Sequence, residues 1–312
     1  MRFLYVGSCV LCILLLSVEF AMAKLTVVAT TPDLANVAKE VGGDLVDVTA
    51  LAKGYQDPHF VDPKPSFIMI LQGADLLILN GMELEAGWLP PLIERARNGK
   101  IMYGAEGYLD ASEGITPLEV PQGNRSELRA QGDVHPAGNP HYMLDPEDAR
   151  IVAGEICSRF VRLSPEHAAD FKANLSKFTA RLNDRITEWK SKMEPFRGIK
   201  MVTYHRLYPY FANRFGLQSV AEIEPKPGIS LSPSHVSYLI RFIPESGAKI
   251  LVMAPYYSER VPRLLEKKTG IKVLVLPTMP GGVKGTDDYI SMTDYVINTI
   301  AEALTTQKDK GK

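Results

Sequence analysis

The 312-residue chain has 35 basic and 36 acidic side chains, a formal net charge of -1, and three cysteines. That balance, with no Lys/Arg block, argues against nucleic acid as a partner. Only Cys157 lies beyond residue 12, so a disulfide framework is excluded and stability must come from ordinary apolar cores, in one large domain or two medium ones.

Residues 1–23 carry Arg2, an apolar stretch from Val10 to Leu16 and the small-residue pattern Ala21-Met22-Ala23. This is the pattern of a secretory signal peptide, too short for a membrane span. Cys9 and Cys12 precede the expected cut and Lys24 follows it, so the expected product is an exported protein without a lipid anchor. Removing the segment takes away Arg2 and Glu19 and leaves the charge balance unchanged.

From Leu25 the chain alternates short apolar runs with helical spans. LTVVATT (25–31) precedes PDLANVAKEVG, and VDVTAL (46–51), ADLLILNG (74–81) and KIMYG (100–104) supply further strands. The rhythm returns in KMVTYH (200–205), SVAEI (219–223), KILVMAP (249–255) and KVLVLP (272–277). It predicts an α/β protein with two similar lobes, each a mostly parallel sheet covered by helices. The expected division is 24–163 for the first lobe, 164–195 for a linking helix and 196–312 for the second lobe.

In the linking segment, Ala168, Phe171, Leu175, Phe178, Leu182, Ile186 and Trp189 recur in steps of three or four and mark one apolar stripe. Prolines stand only at its ends, so the helix should be rigid, and thirty residues would reach roughly 45 Å. The stretch 105–140 is rich in Gly, Pro and Ser and reads as a long excursion, of the kind that usually serves a site. It leads to His135 and His141. Downstream of His141, Asp145 and Pro146 suit the cap and first turn of a helix.

Four positions attract chemical interest: His59 in GYQDPHFVDPKPS, His141 in GNPHYMLDP, His205 in MVTYHRLYPYF and Asp287 in GVKGTDDYISM. Each arrives from a loop or strand end, where open α/β sheets bind ligands. Three imidazoles and a carboxylate could surround a divalent ion between the lobes. Each residue alone also fits an ordinary surface or hydrogen-bonded role, and no H-E-x-x-H, C-x-x-C or EF-hand pattern links them. His167 and His235 sit near helix starts, where local hydrogen bonding accounts for them.

The loop DPHFVDPKPS, the run ADLLILNGMELE, PHYMLDP, TYHRLYPYFANRFGL and TDDYISM together resemble the solute-binding proteins of the zinc and manganese class of ABC importers, cluster A-I. The resemblance covers essentially the whole chain past residue 23. It implies two α/β lobes joined by one long helix, a metal site between them, and His59, His141, His205 and Asp287 as ligands, with Asp288 the alternative one residue away.

The implied cargo is Zn2+, because three imidazoles suit zinc, with Mn2+ or Fe2+ as alternatives. Four protein ligands would leave no open position for catalysis. Were Asp287 to point away, a zinc-dependent hydrolase would become arguable. The implied setting is the periplasm, as a monomer serving a membrane ABC permease, with a metallochaperone as a further partner. His135 reads as a solvent-facing residue, with an auxiliary ligand or transient acceptor as the alternative.

Overall fold

The computed structural model describes residues 24–123, 135–224 and 231–310. The expected signal peptide and the run RSELRAQGDV lie outside the described residues. The first sheet begins with β1 (Leu25–Ala29), which leads into α1 (Pro32–Gly42) with Pro32 in the first turn, where its missing N–H costs nothing. There follow β2 (Val46–Ala50), α2 (Pro65–Gln72), β3 (Leu76–Leu79), α3 (Leu89–Ala96) and β4 (Tyr108–Asp110). All pairings are parallel, in the order β2-β1-β3-β4. The central strands β1 and β3 bury their apolar side chains on both faces, whereas edge strand β2 alternates buried and exposed residues.

The expected strand KIMYG is not one. Asn98 starts a tight helical turn at Gly99–Ile101, accepting from the Lys100 N–H at 3.0 Å and donating to Leu71 O and Ala74 O. The fourth strand comes later, after Gly107. A Cβ there would stand 2.3 Å from Asp75 O and 2.5 Å from Lys100 O, so only glycine allows the backbone into the sheet.

After α4 (Pro146–Leu163) and α5 (Ala168–Met193), the second sheet is built from β5 (Lys200–Thr203), α6 (Pro209–Phe215), β6 (Gln218–Glu222), α7 (Pro233–Ser246), β7 (Ile250–Met253), α8 (Arg260–Thr269) and β8 (Lys272–Val275), closed by α9 (Tyr289–Lys310). Its order, β6-β5-β7-β8, again all parallel, repeats the first. The two lobes share an architecture without a visible sequence repeat.

The long helix α5 has 26 residues and a 3-10 turn at each end, Pro165–His167 and Glu194–Phe196. It spans about 39 Å. Phe171, Phe178, Leu182, Ile186, Trp189 and Met193 form its buried stripe. Toward the first lobe, Asn174 donates to Val41 O at 3.2 Å and Arg181 pairs with Glu40 at 2.6 Å. Toward the second, Trp189 Nε1 donates to Asp294 on α9 at 2.7 Å, and Arg185 pairs with the same carboxylate. One helix is thus bonded to both lobes, and a single apolar core runs from Val27 through α5 to Leu304.

The lobes also meet directly. Asp145 caps α4, accepting from Glu147 N at 2.9 Å, and the same carboxylate takes Arg214 Nε of α6 at 2.8 and 2.9 Å. Tyr289 donates its hydroxyl to Met143 O at 2.7 Å and its N–H to Asn36 Oδ1 at 2.9 Å. Gly54, in the loop after β2, is packed against the second lobe so closely that a Cβ would lie 2.1 Å from Pro280 O. Among the described residues, no helix is long and apolar enough to cross a membrane.

Candidate metal centre

The carboxyl ends of both sheets face the seam between the lobes, and three imidazoles meet there. His59 comes from the loop after β2, His141 from the segment between β4 and α4, and His205 from two residues past the end of β5. One ring nitrogen from each lies within 4.8 Å of the other two. Ring centroids are separated by 5.1 Å (His59 to His141), 5.3 Å (His59 to His205) and 5.6 Å (His141 to His205). A zinc–nitrogen bond of about 2.0–2.1 Å and tetrahedral angles would set imidazole centroids roughly 5.2 Å apart. The three rings are therefore already spaced for one small ion.

Their surroundings orient them. His59 Nδ1 lies 2.7 Å from Asp57 Oδ1, which also accepts the His59 backbone N–H at 3.0 Å. Trp88 holds this loop by donating to Pro58 O at 3.0 Å. Burial pushes the Asp57 carboxyl up, but hydrogen bonds and charge from His59 outweigh it and hold the group below its ordinary range. His205 Nδ1 lies 2.8 Å from Glu224 Oε2, just past β6. A carboxylate can only accept, so it places the proton on Nδ1 and turns the Nε2 lone pair of each ring toward the seam.

His141 is set differently. Its backbone N–H donates to Asn139 Oδ1 at 3.0 Å, Asn80 Nδ2 holds Pro140 O at 2.9 Å, and the Tyr142 hydroxyl donates to Asn80 O at 2.5 Å. His141 Nε2 is buried with no hydrogen-bond partner, an arrangement that costs free energy unless a ligand uses the lone pair. Desolvation first, then the neighbouring imidazoles His59, His205 and His135, drive its pKa well below the ordinary value. The ring is neutral, the form a metal requires. A cavity of about 20 Å³ touches it, lined by Thr31, Asp33, Asn80 and Tyr256 among others. That is room for one water.

The structure does not bring Asp287 to these three. Its side chain is exposed, and it is absent from the cluster of converging donors among the described residues. The reason is local. The loop folds on itself through Gly281 N to Thr286 O at 2.5 Å and Thr286 Oγ1 to Val283 O at 2.8 Å. Asp288 is taken up in capping α9, accepting from Ser291 N at 2.8 Å. His135, read from sequence as solvent-facing, is half-buried with its ring 5.3 Å from that of His59. The reading of the residues missed Asp57, although an aspartate two residues before a loop histidine is the spacing that lets one carboxylate bind both the backbone N–H and the ring. His167 pairs with Asp170 and His235 reaches Glu222 O, and neither is part of the three-imidazole cluster.

Known proteins share the sequence pattern and fold of this chain. The family model for the zinc-uptake complex component A, periplasmic (ZnuA), matches residues 27–303. The manganese ABC transporter substrate-binding lipoprotein PsaA of Streptococcus anginosus is 25% identical over 289 residues, covering 90% of this chain and 89% of its own. The metal ABC transporter substrate-binding lipoprotein ScbA of Streptococcus cristatus is 26% identical, covering 92% and 91%. A crystal structure of ZnuA superimposes with a TM-score of 0.75 at 24% identity, covering 90% of this chain and 99% of that one.

These relatives correct one expectation. The curated relatives compared, eight of them, are all named lipoproteins, which overturns the reading of a free, unlipidated periplasmic protein. That reading rested on a cut after Ala23, in a segment outside the described residues. With the family model spanning nearly the whole chain, the protein belongs to the zinc-uptake complex component A family, the periplasmic metal-binding proteins of ABC transporters, and is a transport protein rather than an enzyme.

Proposed function

We propose that this protein captures Zn2+ outside the inner membrane and delivers it to a cognate ABC permease, with His59, His141 and His205 as donors. The observation that carries this reading is the convergence of three buried imidazoles, ligand atoms within 4.8 Å of one another, two of them backed by carboxylates. Imidazole suits zinc, whereas manganese is more at home with carboxylate and water. The ion is cargo.

A second reading, manganese as the physiological cargo, is favoured by the names of the relatives, most of which are manganese transporter lipoproteins. In vitro affinity does not separate the two, because zinc outranks manganese at almost any site of this kind. Uptake does. Cells lacking the protein should lose accumulation of radioactive zinc from nanomolar supply and regain it when the protein is restored; loss of manganese accumulation with zinc unaffected would favour the second reading. Like its relatives, the protein would be held at the membrane by lipid. The mass of the mature N-terminal peptide tests this.

A further inference from the structure

Past β3 the chain turns through Gly81, Met82 and Glu83, three consecutive residues in the left-handed region, with φ of +79°, +48° and +63°. Residues with a Cβ adopt that conformation only where their surroundings fix it. Glu85 does so by accepting from the Asn80 and Gly81 N–H groups at 2.6 and 3.3 Å. Gly81 lies so close to the end of β4 that a Cβ would stand 1.9 Å from Asp110 Oδ1. That oxygen is held in turn by Ser112, whose N–H and hydroxyl donate to it at 3.0 and 2.7 Å.

Between this turn, α3 and the segment leading into β4 lies a cavity of about 380 Å³, the scale of a small organic ligand. Leu79 and Leu89 give it a buried apolar lining, joined by Ile93 and Met102. Tyr103 and Tyr108 also line it as an edge-to-face pair, ring centroids 5.6 Å apart at 75°. Tyr108 is half-buried, whereas Tyr103 is 89% exposed, a large ring standing in solvent.

The charged residues of the lining, Glu83, Glu85, Glu94 and Asp110, are all acidic. Their field reaches Tyr108, whose phenol is pushed up to about 12 by burial first and then by Asp110 and Glu85. Among the described residues these carboxylates do not converge on one point as the three imidazoles do, so the arrangement does not suit a bare metal ion.

We infer that this cavity is a second ligand site, built from the first lobe alone, that takes a small organic cation: a protonated amine on an apolar or aromatic body. The apolar lining covers the body, the tyrosine rings attract the cation, and Glu94 and Asp110 offset its charge. A neutral molecule of the same shape gains only the first of these contributions, and an anion is repelled. The single sign of the lining charge therefore sets the ligand class. The site shares no residue with the metal centre.

Phenethylamine, cationic at neutral pH, is the probe, with phenylethanol as its uncharged analogue and phenylacetate as the anion. Each is titrated into the full chain, isotope-labelled at its methionine methyls and followed by NMR. Met102 lines the cavity, whereas Met201 and Met253 lie in the second sheet. Phenethylamine should shift the Met102 signal saturably, about tenfold or more tightly than phenylethanol, with Met201 and Met253 unmoved and phenylacetate without effect. Tyr103→Ala and Glu94→Gln alter exposed side chains, and each should weaken the amine about two- to fivefold. Equal affinity for amine and alcohol, a Met102 signal that the amine leaves unmoved, or binding unchanged in both variants overturns the site. An arginine-rich peptide that shifts Met102 where the free amine fails would make the cavity a protein-docking surface, and the small-molecule assignment falls. Zinc affinity, read on the same variants by chelator competition, should be unchanged, so the failure of either site leaves the other standing.

Discussion

The two sheets have the same strand order, the second with a register shift between Met201 and Val202, yet they carry different chemistry at the same place. In the first, Ala29 pairs with Ala50 and Ile78; in the second, Thr203 pairs with Glu222 and Val252. Two residues past these pairs, the first lobe has Thr31 and Ala52 where the second has His205 and Glu224. The backbone bonds beside them match as well, Ala52 N to Thr30 O at 3.0 Å and Glu224 N to Tyr204 O at 2.9 Å. The second lobe thus makes an imidazole–carboxylate pair directly from two neighbouring strand ends.

The first lobe spends the residue just before the matching position on structure. Thr30 donates its hydroxyl to Glu85 at 2.5 Å, and the same carboxylate accepts from Asn80 N at 2.6 Å and Gly81 N at 3.3 Å. Its imidazoles come instead from loops farther out. One donor is therefore set on a rigid strand end and the others on segments that can adjust. A site meant to capture and later release an ion benefits from that division.

The comparison makes His205 the donor least able to be replaced by a neighbour. His205→Ala should weaken zinc by about a hundredfold or more, more than the loss of a backing carboxylate, as read by chelator competition at neutral pH. An effect smaller than that of Glu224→Gln would erase the distinction between strand-end and loop donors.

Contact between the first-lobe loop and the second lobe is the next thing to break. Gly54→Ala puts a methyl group 2.1 Å from Pro280 O, and the overpacking should cost about 1–3 kcal/mol. Chemical denaturation measures the cost. Zinc affinity should fall with it, because His59 rides on the displaced loop; an unchanged affinity would mean that the loop adapts independently of the lobe contact.

Glu224→Gln tests the strand-end pair alone. The amide keeps the shape but loses the charge that fixes the His205 proton on Nδ1, so affinity should drop about tenfold with little change in melting temperature. Calorimetric titration beside thermal unfolding separates the two quantities.

The smallest effect belongs to the buried Glu85 of the first lobe. Burial outweighs the hydrogen bonds from Thr30 and the turn and raises the Glu85 carboxyl to about 7. The folded protein therefore keeps this proton longer than the unfolded chain does. Its stabilising contribution is full below about pH 4.5 and is lost as pH rises through 7. Glu85→Gln should flatten the decline across that window, by about 1 kcal/mol per pH unit or less, and metal affinity should not move. Denaturation curves at pH 5 and 7.5 with and without the substitution check both halves.

Much of the molecule was legible in the residues because its causes are local. Runs such as LLIL and ILVM, set between helical spans, suit strands buried on both faces, and the stripe from Phe171 to Trp189 follows the period of one helix. His59, His141 and His205 each follow a strand or a proline-held turn, so their place at the sheet ends could be read in advance. KIMYG could not, since its apolar character is the same in a strand and in the turn capped by Asn98; Asp75 O and Lys100 O around Gly107 decide between them. Nor could the sequence place Asp287 relative to the three imidazoles. Its position depends on how a loop pins itself through Thr286 and how Asp288 is consumed by a helix cap. Periodicity is written residue by residue along a chain, but coordination depends on distances between segments far apart in sequence, and only the packed lobes set those.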